Sequence, residues 1–252
     1  MSSSNPRVQR LRRLIGRRSF RYDEGVFVVE GPTLIAEAFA AGLEIHDQYV
    51  RADYDGYEVP GVRCHELDTH TFNSVSDTET PRGIIAVVSI PSPSIERFSG
   101  EQWALVGDNI SDPGNAGTLI RSAEAAGVSA VVLSGNCVDP WAPKVVRASA
   151  GAVFHIPIVQ VESLADAHNL GLRLLGTTSH ESIGGVDPVS VYDADVSDCI
   201  GVVVGNEAHG LSPDAPVDTW ITIPHSGRSE SLNVAMAATV AVMHIAQSRR
   251  GK

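Results

Sequence analysis

The stretch VVVGNEAHGLS, residues 202–212, decides the fold of the C-terminal half together with ITIPHSGRSESLNVAMAATVAVMHIAQ, residues 221–247. The run Gly201–Val204 is apolar throughout and predicts a buried strand. The strand ends at Gly205, and a glycine there permits a tight turn or a close approach of another group. Because polar residues follow at once, this stretch is typical of a buried strand that leads into a binding loop.

The second stretch again places a loop after a strand, and it adds a helix. Trp220–Ile223 predicts a short strand that stops at Pro224, and Gly227 opens a loop. From Leu232 to Ala246 almost every residue is apolar or small, which is typical of a helix that is covered on all sides. The run is too short to span a bilayer. We therefore expect no membrane partner, and a helix that packs between its own sheet and a second subunit of a homodimer.

A third stretch, DNISDPGNAGTLIRSAEAAG at Asp108–Gly127, lies upstream. Its N-x-G-x-x-x-R pattern, the later G-N-E-x-x-G-L and the final I-P-x-x-G-x-x-x-S-L-N-V follow one another in the order of three known motifs. Together they resemble the SpoU (TrmH-like) class of the SPOUT superfamily, whose members are S-adenosylmethionine-dependent RNA 2'-O-ribose methyltransferases. The resemblance covers Gly100–Lys252 well and Val26–Ile90 more loosely.

The fold class follows in part from the residues alone. Strands and helices alternate from Trp103 onward, and nearly continuous apolar strands indicate a parallel sheet that is covered on both faces. These features predict a doubly wound α/β fold. A Rossmann dinucleotide site is disfavoured, because the first strand leads into DNISDPGNAG rather than G-x-G-x-x-G. The resemblance implies instead a SPOUT-type parallel sheet with a C-terminal trefoil knot, a feature that periodicity cannot reveal.

Four segments are predicted along the chain. Residues 1–24 are a basic N-terminal arm, and residues 25–90 alternate strands and helices as a small α/β domain does. Residues 91–100, PSPSIERFSG, have the composition of a linker. Residues 101–252 form the SPOUT methyltransferase domain, and the resemblance assigns RNA recognition to the domain at 25–90.

The charge distribution points to a polyanionic partner. The net charge of −11 argues by itself against nucleic acid, but it is unevenly spread. Residues 1–21 contain no acidic residue, whereas the rest of the chain has 12 basic and 30 acidic residues. Such asymmetry suggests RNA, with a solvated tail as the alternative. The predicted phosphate contacts of this arm are Arg7, Arg10, Arg12, Arg13, Arg17, Arg18 and Arg21.

The resemblance also implies which residues hold the methyl donor and which face the RNA. Backbone groups of Gly205, Ile223 and Leu232, with Thr178 as a weaker candidate, are expected to bind S-adenosylmethionine. Ile223 and Leu232 have an alternative role as plain core residues. Lys144 and Arg147 lie in another matching stretch and are expected to contact RNA phosphates. The acceptor side is assigned to Asn115, Arg121, Glu207, Ser231 and Asn233.

Two readings stay open for several of these acceptor residues. Asn115 and Ser231 each lie where a helix is expected to start, so either could simply be an N-cap. Arg121 corresponds to an arginine proposed to activate the ribose hydroxyl, but a guanidinium is a poor base. We favour a clamp on phosphate that also stabilises the developing alkoxide. Glu207 could hold Arg121 or shape its own loop. His209 and His225 are given no catalytic role, although relatives usually carry Met where His225 stands.

The cysteines bear on compartment and on metal. Cys64, Cys137 and Cys199 are isolated, and no C-x-x-C occurs, so a zinc site or a disulfide framework is not expected. Isolated cysteines favour a reduced cytoplasm. No apolar segment follows the basic N terminus, as it would in a signal peptide.

The predicted function is S-adenosylmethionine-dependent 2'-O-methylation of a ribose in structured RNA, without a metal. Ribosomal RNA is preferred because the implied recognition domain resembles a ribosomal protein fold, which is an analogy. Three alternatives remain: the same reaction on tRNA, a catalytically silent RNA-binding relative, and a nucleotide-binding α/β enzyme with a small substrate.

Overall fold

The computed structural model describes residues 4–92 and 97–250. The chain divides into two compact units. The first unit is Met1–Ser92 with Asp139–His155, and the second is Pro93–Val138 with Ile156–Lys252. The segment Asp139–His155 lies inside the predicted methyltransferase domain at 101–252 and packs with the first unit.

The helices and strands of the N-terminal part follow one another without long gaps. In chain order they are α1 (Pro6–Gly16), α2 (Arg18–Glu24), β1 (Val26–Glu30), α3 (Pro32–Ala40), β2 (Ile45–Arg51), β3 (Arg63–Leu67), α4 (Thr69–Asn73) and β4 (Ile84–Ser89).

The remaining elements alternate strand and helix up to the C-terminal helix. They are β5 (Ala104–Asp108), α5 (Pro113–Ala126), β6 (Ala130–Ser134), α6 (Pro143–Ala148), β7 (Ile158–Val161), α7 (Leu164–Asn169), β8 (Arg173–Thr177), β9 (Val189–Ser190), β10 (Ile200–Val204), β11 (Thr219–Thr222) and α8 (Val234–Arg250).

The first unit is a four-stranded sheet with helices packed on it. Its strand order is β1-β4-β2-β3. Helix α1 buries Val8, Leu11 and Leu14 in the same apolar cluster as Val28 and Val87 of the sheet. The spacing of those α1 residues predicts an amphipathic helix, and this is confirmed. The basic segment at 1–24 is therefore corrected from a separate arm to two helices of the first unit, apart from residues 1–3, which lie outside the described residues.

The predicted linker at 91–100 is also only partly visible. Residues 93–96 lie outside the described residues. Phe98 is 2% exposed and belongs to the core cluster of the second unit, and its N–H donates to the carbonyl of Leu170. The C-terminal end of the predicted linker is therefore anchored in that unit.

The second unit is a seven-stranded sheet in the order β7-β6-β5-β10-β8-β11-β9. Every neighbouring pair is parallel, which confirms the predicted α/β fold with a parallel sheet. β10 lies at the centre between β5 and β8, and its residues Val202, Val203 and Val204 are fully buried. The apolar run that opens the first stretch is thus the middle strand of the sheet.

The N-caps of helices α5 and α8 are neither Asn115 nor Ser231. Helix α5 starts at Pro113, and the carboxylate of Asp112 accepts from the amide of Asn115. Helix α8 starts at Val234, where the side-chain oxygen of Asn233 accepts from the amides of Ala235 and Met236. The N-caps are therefore Asp112 and Asn233, and the alternative interpretation of Asn115 and Ser231 as N-caps is wrong.

Helix α8 has one covered face and one open face in the single chain. Small residues such as Ala238 and Ala241 are fully buried, and the hydroxyls of Thr239 and Ser122 lie 2.6 Å apart where α8 meets α5. The opposite face carries Met236, which is 64% exposed. Across the described ranges 4–92 and 97–250, no helix is long and apolar enough to cross a membrane.

Candidate active site

A cleft of about 610 Å³ opens at the carboxyl ends of three neighbouring strands in the second unit. The loops that follow β8, β10 and β11 form its walls. This edge is where parallel α/β sheets usually bind ligands. The volume lies within the usual range for small-molecule sites. All four predicted donor-binding residues line the cleft: Thr178, Gly205, Ile223 and Leu232.

Gly205 lies in the tight turn that the sequence predicts. A Cβ placed on it would collide with the backbone of Gly210 and Leu211, not with the space of the cleft. The turn between them is closed by the amide of Gly210, which donates to the carbonyl of Asn206 over 2.9 Å. The glycine therefore allows two stretches of the chain to touch, and this contact shapes the wall of the cleft.

Ile223 and Leu232 belong to the wall rather than to the core. Ile223 immediately follows β11, and Leu232 is 38% exposed just before α8. Both line the cleft beside apolar groups of Val204 and Leu211. The alternative role of plain core residue is thus disfavoured for Leu232, because an exposed leucine on a cleft wall offers a surface for a ligand.

Glu207 ties the loop after β10 to the start of α5. Its carboxylate accepts from the amide of Asp112 over 2.9 Å, from the amide and hydroxyl of Ser111, and from the side-chain amide of Asn115 over 3.2 Å. Burial raises the pKa of Glu207, but these donors, led by the Asp112 amide, outweigh it, so the pKa lies below the ordinary value. The carboxylate therefore stays ionised and shapes the loop. Among the described residues it makes no hydrogen bond or ion pair with Arg121.

Asn115 joins the three motif loops. Its side-chain N–H donates to Glu207, and its side-chain oxygen accepts from the Nδ2 of Asn233 over 3.1 Å. Asn233 in turn caps α8. A chain of hydrogen bonds thus runs from the loop after β10, through the first turn of α5, to the start of α8. Three of the five predicted acceptor residues are brought together in this way.

Arg121 and Ser231 stand apart from that chain of bonds. Arg121 is exposed on α5, and within residues 4–92 and 97–250 its guanidinium has no hydrogen-bond or ion-pair partner. Ser231 is exposed and lines the cleft. Both side chains are therefore available to a substrate, whereas Glu207 and Asn115 are already engaged.

The basic residues predicted to contact RNA lie in the first unit and differ in availability. Arg7, Arg13, Arg17, Arg18 and Lys144 are exposed. Arg10 pairs with Glu24 over 2.6 Å, and Arg147 pairs with Asp77 over 2.8 Å, each half-buried. Arg12 is half-buried and donates to the hydroxyl of Ser74.

Arg21 is removed from the predicted RNA contacts. It is 4% exposed, and its guanidinium donates to Asp139 and to the carbonyl of Leu14. The Asp139 carboxylate is 5% exposed and also accepts from Tyr22. A buried charge is stable only when it is paired in this way. Arg21 therefore fastens α2 to the segment Asp139–His155 within the first unit.

His225, for which the sequence predicts no catalytic role, lines the cleft. Its Nδ1 lies 3.0 Å from the carbonyl oxygen of Ile223 and its Nε2 lies 2.9 Å from that of Ser229. These two carbonyls, that of Ile223 first, raise the pKa of His225 above its ordinary value. The departure from the usual Met was the signal that could have drawn attention to this position.

The lining of the cleft combines apolar and charged side chains. Val204, Ile223 and Leu232 supply apolar wall, and Glu181 and Glu230 are the acidic residues of the lining besides Glu207. In the part of the chain that the structure describes, no group of three or more His, Cys, Asp or Glu residues could hold a metal ion.

Two known protein families match consecutive parts of the chain. The profile of the SpoU rRNA Methylase family matches residues 102–243. The profile of the MRM3-like substrate binding domain matches residues 5–86. The second match includes α1 and α2, which agrees with their packing in the first unit.

Individual relatives match along nearly the whole chain. The 23S rRNA (guanosine(2553)-2'-O)-methyltransferase RlmP of Bacillus subtilis is 32% identical, over 97% of both chains. The mitochondrial rRNA methyltransferase 3 of Homo sapiens is 28% identical, over 98% of this chain and 73% of that protein. The crystal structure of AviRb from Streptomyces viridochromogenes with AdoMet superposes with a TM-score of 0.85, at 27% identity and over 98% of each chain.

Proposed function

This chain belongs to the SpoU rRNA methylase family, and we propose that it transfers a methyl group from S-adenosylmethionine to a ribose 2'-hydroxyl of ribosomal RNA. One observation carries the proposal: all four predicted donor-binding residues line one cleft, and Glu207, which lines it too, is hydrogen-bonded to Asn115 and through it to Asn233. This arrangement supports a donor site beside the residues assigned to the acceptor.

Ribosomal RNA is favoured over tRNA by the relatives. RlmP and the 23S rRNA (uridine(2479)-2'-O)-methyltransferase of Streptomyces viridochromogenes both act on 23S rRNA by name. The latter is 30% identical over 99% of this chain. Their named target nucleotides differ, a guanosine and a uridine, so the target nucleotide of this chain does not follow from family membership.

Methyl transfer from a sulfonium requires the protein to position the ribose hydroxyl more than it requires a reactive side chain. The cofactor supplies an activated methyl on a sulfonium, so the protein has to align the ribose hydroxyl and ease the loss of its proton. Arg121 is exposed and unpaired among the described residues, which suits a clamp on a substrate phosphate beside the developing alkoxide. Ser231 and Asn233 are assigned to orienting the ribose near the start of α8.

The proposal includes a homodimer built on α8. Met236, Val240 and Met243 are spaced as one helical stripe and are 64%, 38% and 41% exposed in the single chain. A contiguous apolar stripe on a helix favours burial against a second copy in a symmetric pair.

Two further assignments go with the family. A C-terminal trefoil knot is proposed from family membership, and the insertion of the late strand β10 between β5 and β8 is compatible with it. A cytoplasmic location is supported by the isolated positions of Cys64, Cys137 and Cys199 in the sequence, where no C-x-x-C occurs.

Calorimetry with S-adenosylmethionine tests the donor site. We expect binding in the absence of RNA and in the presence of a chelator, because the cleft is built from protein loops that the fold already holds. Binding that requires a divalent ion would contradict the proposal. Mapping of ribose methylation in total RNA, with and without the gene, then identifies the target. A protein that binds donor and RNA but leaves every ribose unchanged would be the catalytically silent alternative.

A further inference from the structure

The loop between β11 and α8 is closed by a single imidazole. Nδ1 of His225 lies 3.0 Å from the carbonyl oxygen of Ile223, and Nε2 lies 2.9 Å from that of Ser229. A carbonyl oxygen can only accept, so both ring nitrogens must carry hydrogen for both bonds to form. A neutral imidazole has one N–H and can make only one of the two bonds. The geometry therefore selects the imidazolium.

The closed loop is also a wall of the cleft. Ile223, His225, Ser231 and Leu232 all line it. The loop carries Ile223 at one end and Leu232 at the other, and both are assigned to the methyl donor. Without one of the two bonds, nothing else in the described loop ties the carbonyl of Ser229 back toward the strand. The position of these two residues relative to each other then depends on the charge of His225.

We propose that protonated His225 is a positioning residue for the methyl donor: it pins the loop from Ile223 to Leu232 in its donor-binding shape, so that donor affinity falls as pH rises. This inference rests on the proposed function, because it takes the cleft to be the S-adenosylmethionine site. His225 acts through the loop and transfers no proton in the reaction.

Other charged groups around the cleft do not account for the arrangement. Within the described residues, none of them makes a hydrogen bond or an ion pair with His225. They come from the loop after β8, from the loop after β10 and from the loop of His225 itself: His180, Glu181, Glu207, His209, Arg228 and Glu230. The two backbone carbonyls therefore decide the protonation state.

The sign of the pH dependence follows from the raised pKa. The ordinary value is 6.5, and the pKa of His225 in the closed loop lies above it because the carbonyls of Ile223 and Ser229 accept from the charged ring. The stabilisation of the loop is complete below the ordinary pKa and is lost as pH rises through the raised pKa. Donor affinity should follow the same course.

Two measurements test the proposal on the full-length protein. An NMR titration without donor should give His225 a pKa above 6.5, and S-adenosylmethionine should raise it further, since linkage between proton and ligand is reciprocal. Calorimetry between about pH 6 and about pH 9 should show the affinity for S-adenosylmethionine falling roughly three- to tenfold, as expected for one lost hydrogen bond.

Matched variants separate positioning from general damage. His225→Phe keeps a ring but no donor, so its affinity should equal that of the wild type at high pH and stay flat across the range. Its KM for the donor should rise, while kcat at saturating donor changes little. His209→Phe is the control: His209 lines the same cleft, but its ring makes no hydrogen bond among the described residues, so the wild-type pH profile should persist.

The possible outcomes are distinguishable. A His225 pKa at or below 6.5, a wild-type affinity that does not change with pH, or a His209→Phe profile as flat as that of His225→Phe would each overturn the inference while leaving the proposed function standing. If S-adenosylmethionine bound at no pH, the proposed function would fail, and this inference would fail with it.

Discussion

Glu207 shows how a carboxylate beside a reactive site can be excluded from acid–base work. It accepts from the amides of Ser111 and Asp112 and from the side chain of Asn115, and its pKa lies below the ordinary value although burial alone would raise it. A carboxylate whose pKa lies below its ordinary value is a poorer base toward a ribose hydroxyl. We therefore propose that a cation stabilises the developing alkoxide and that Glu207 does not act as the base. Arg121 is the exposed cation on α5.

Replacement of Arg121 should separate chemistry from donor binding. Arg121→Ala should lower methyl transfer by at least about 100-fold, the usual cost of removing a group that stabilises a developing oxyanion. S-adenosylmethionine affinity should stay nearly unchanged, because Arg121 does not line the donor cleft. Single-turnover methylation of RNA and calorimetry with the donor measure the two effects.

Two matched variants control this experiment: one changes another charged residue of α5, and the other keeps a positive charge at position 121. Glu124→Ala removes an exposed charge one turn further along α5 and should retain activity. Arg121→Lys should fail nearly as badly as Arg121→Ala, since a point charge does not reproduce the fork that binds a phosphate in two places. If lysine restores more than a small fraction of activity, simple charge suffices and the fork is not needed.

At the scale of helices and strands, local signals in the sequence were sufficient for most of the architecture. The buried strand β10 and the end of α5 at the αL residue Gly127 could be predicted, because the signal for each lies in residues adjacent in sequence. The start of α5 was missed, although Pro113 at the first helical position pointed to Asp112 as the cap. The sequence thus contained the correct signal, but Asn115 is also a residue type that favours the N-cap position.

Long-range partners could not be read in the same way. The burial of Arg21 depends on Asp139, 118 positions away, and no local pattern distinguishes this arginine from its exposed neighbours. The same holds for the site: the motifs named Asn115, Glu207 and Asn233, but the bonds between them and the two carbonyls around His225 depend on how distant loops meet. The family resemblance therefore identified the site residues, and the structure was needed to show which of them contact one another.

The exposed stripe of α8 predicts that assembly depends on it. Val240→Glu or Met243→Glu should convert the dimer to a monomer, because a charge would have to be buried without a partner in the interface. Sedimentation at micromolar protein concentration measures the change. Phe39→Glu is the control, since Phe39 is 49% exposed on α3 of the first unit and a single exposed aromatic residue needs no partner. A wild-type monomer, or a dimer that tolerates both charges, would contradict the assignment of α8.

For the whole molecule, the decisive quantity is where the positive charge lies. The net charge is −11, and residues 1–21 hold seven arginines. The structure forbids the simplest test, deletion of this segment, because Val8, Leu11 and Leu14 lie in the core of the first unit. Loss of each such side chain costs about 1.5–3 kcal/mol. A truncated protein would therefore report on folding rather than on RNA.

Substitution of the exposed arginines alone removes the charge and leaves the apolar core residues Val8, Leu11 and Leu14 in place. The four positions are Arg7, Arg13, Arg17 and Arg18, all exposed on α1, on α2 or between them. With all four changed to Gln, RNA affinity should fall, and the slope of log affinity against log salt should flatten by roughly 3, at about 0.7–0.9 per phosphate contact. Binding of S-adenosylmethionine should be unchanged, because the cleft lies in the second unit.

The matched control retains charge at the same four positions. The fourfold change to Lys should preserve most of the salt slope, since counterion release depends on charge rather than on the guanidinium fork. Phosphate contacts position a protein without specifying sequence, so the Gln variant should still methylate the same nucleotide, only less efficiently. A slope that is identical in wild type, Gln variant and Lys variant would show that these arginines do not contact the RNA. The segment would then be a structural part of the first unit whose positive surface serves solubility.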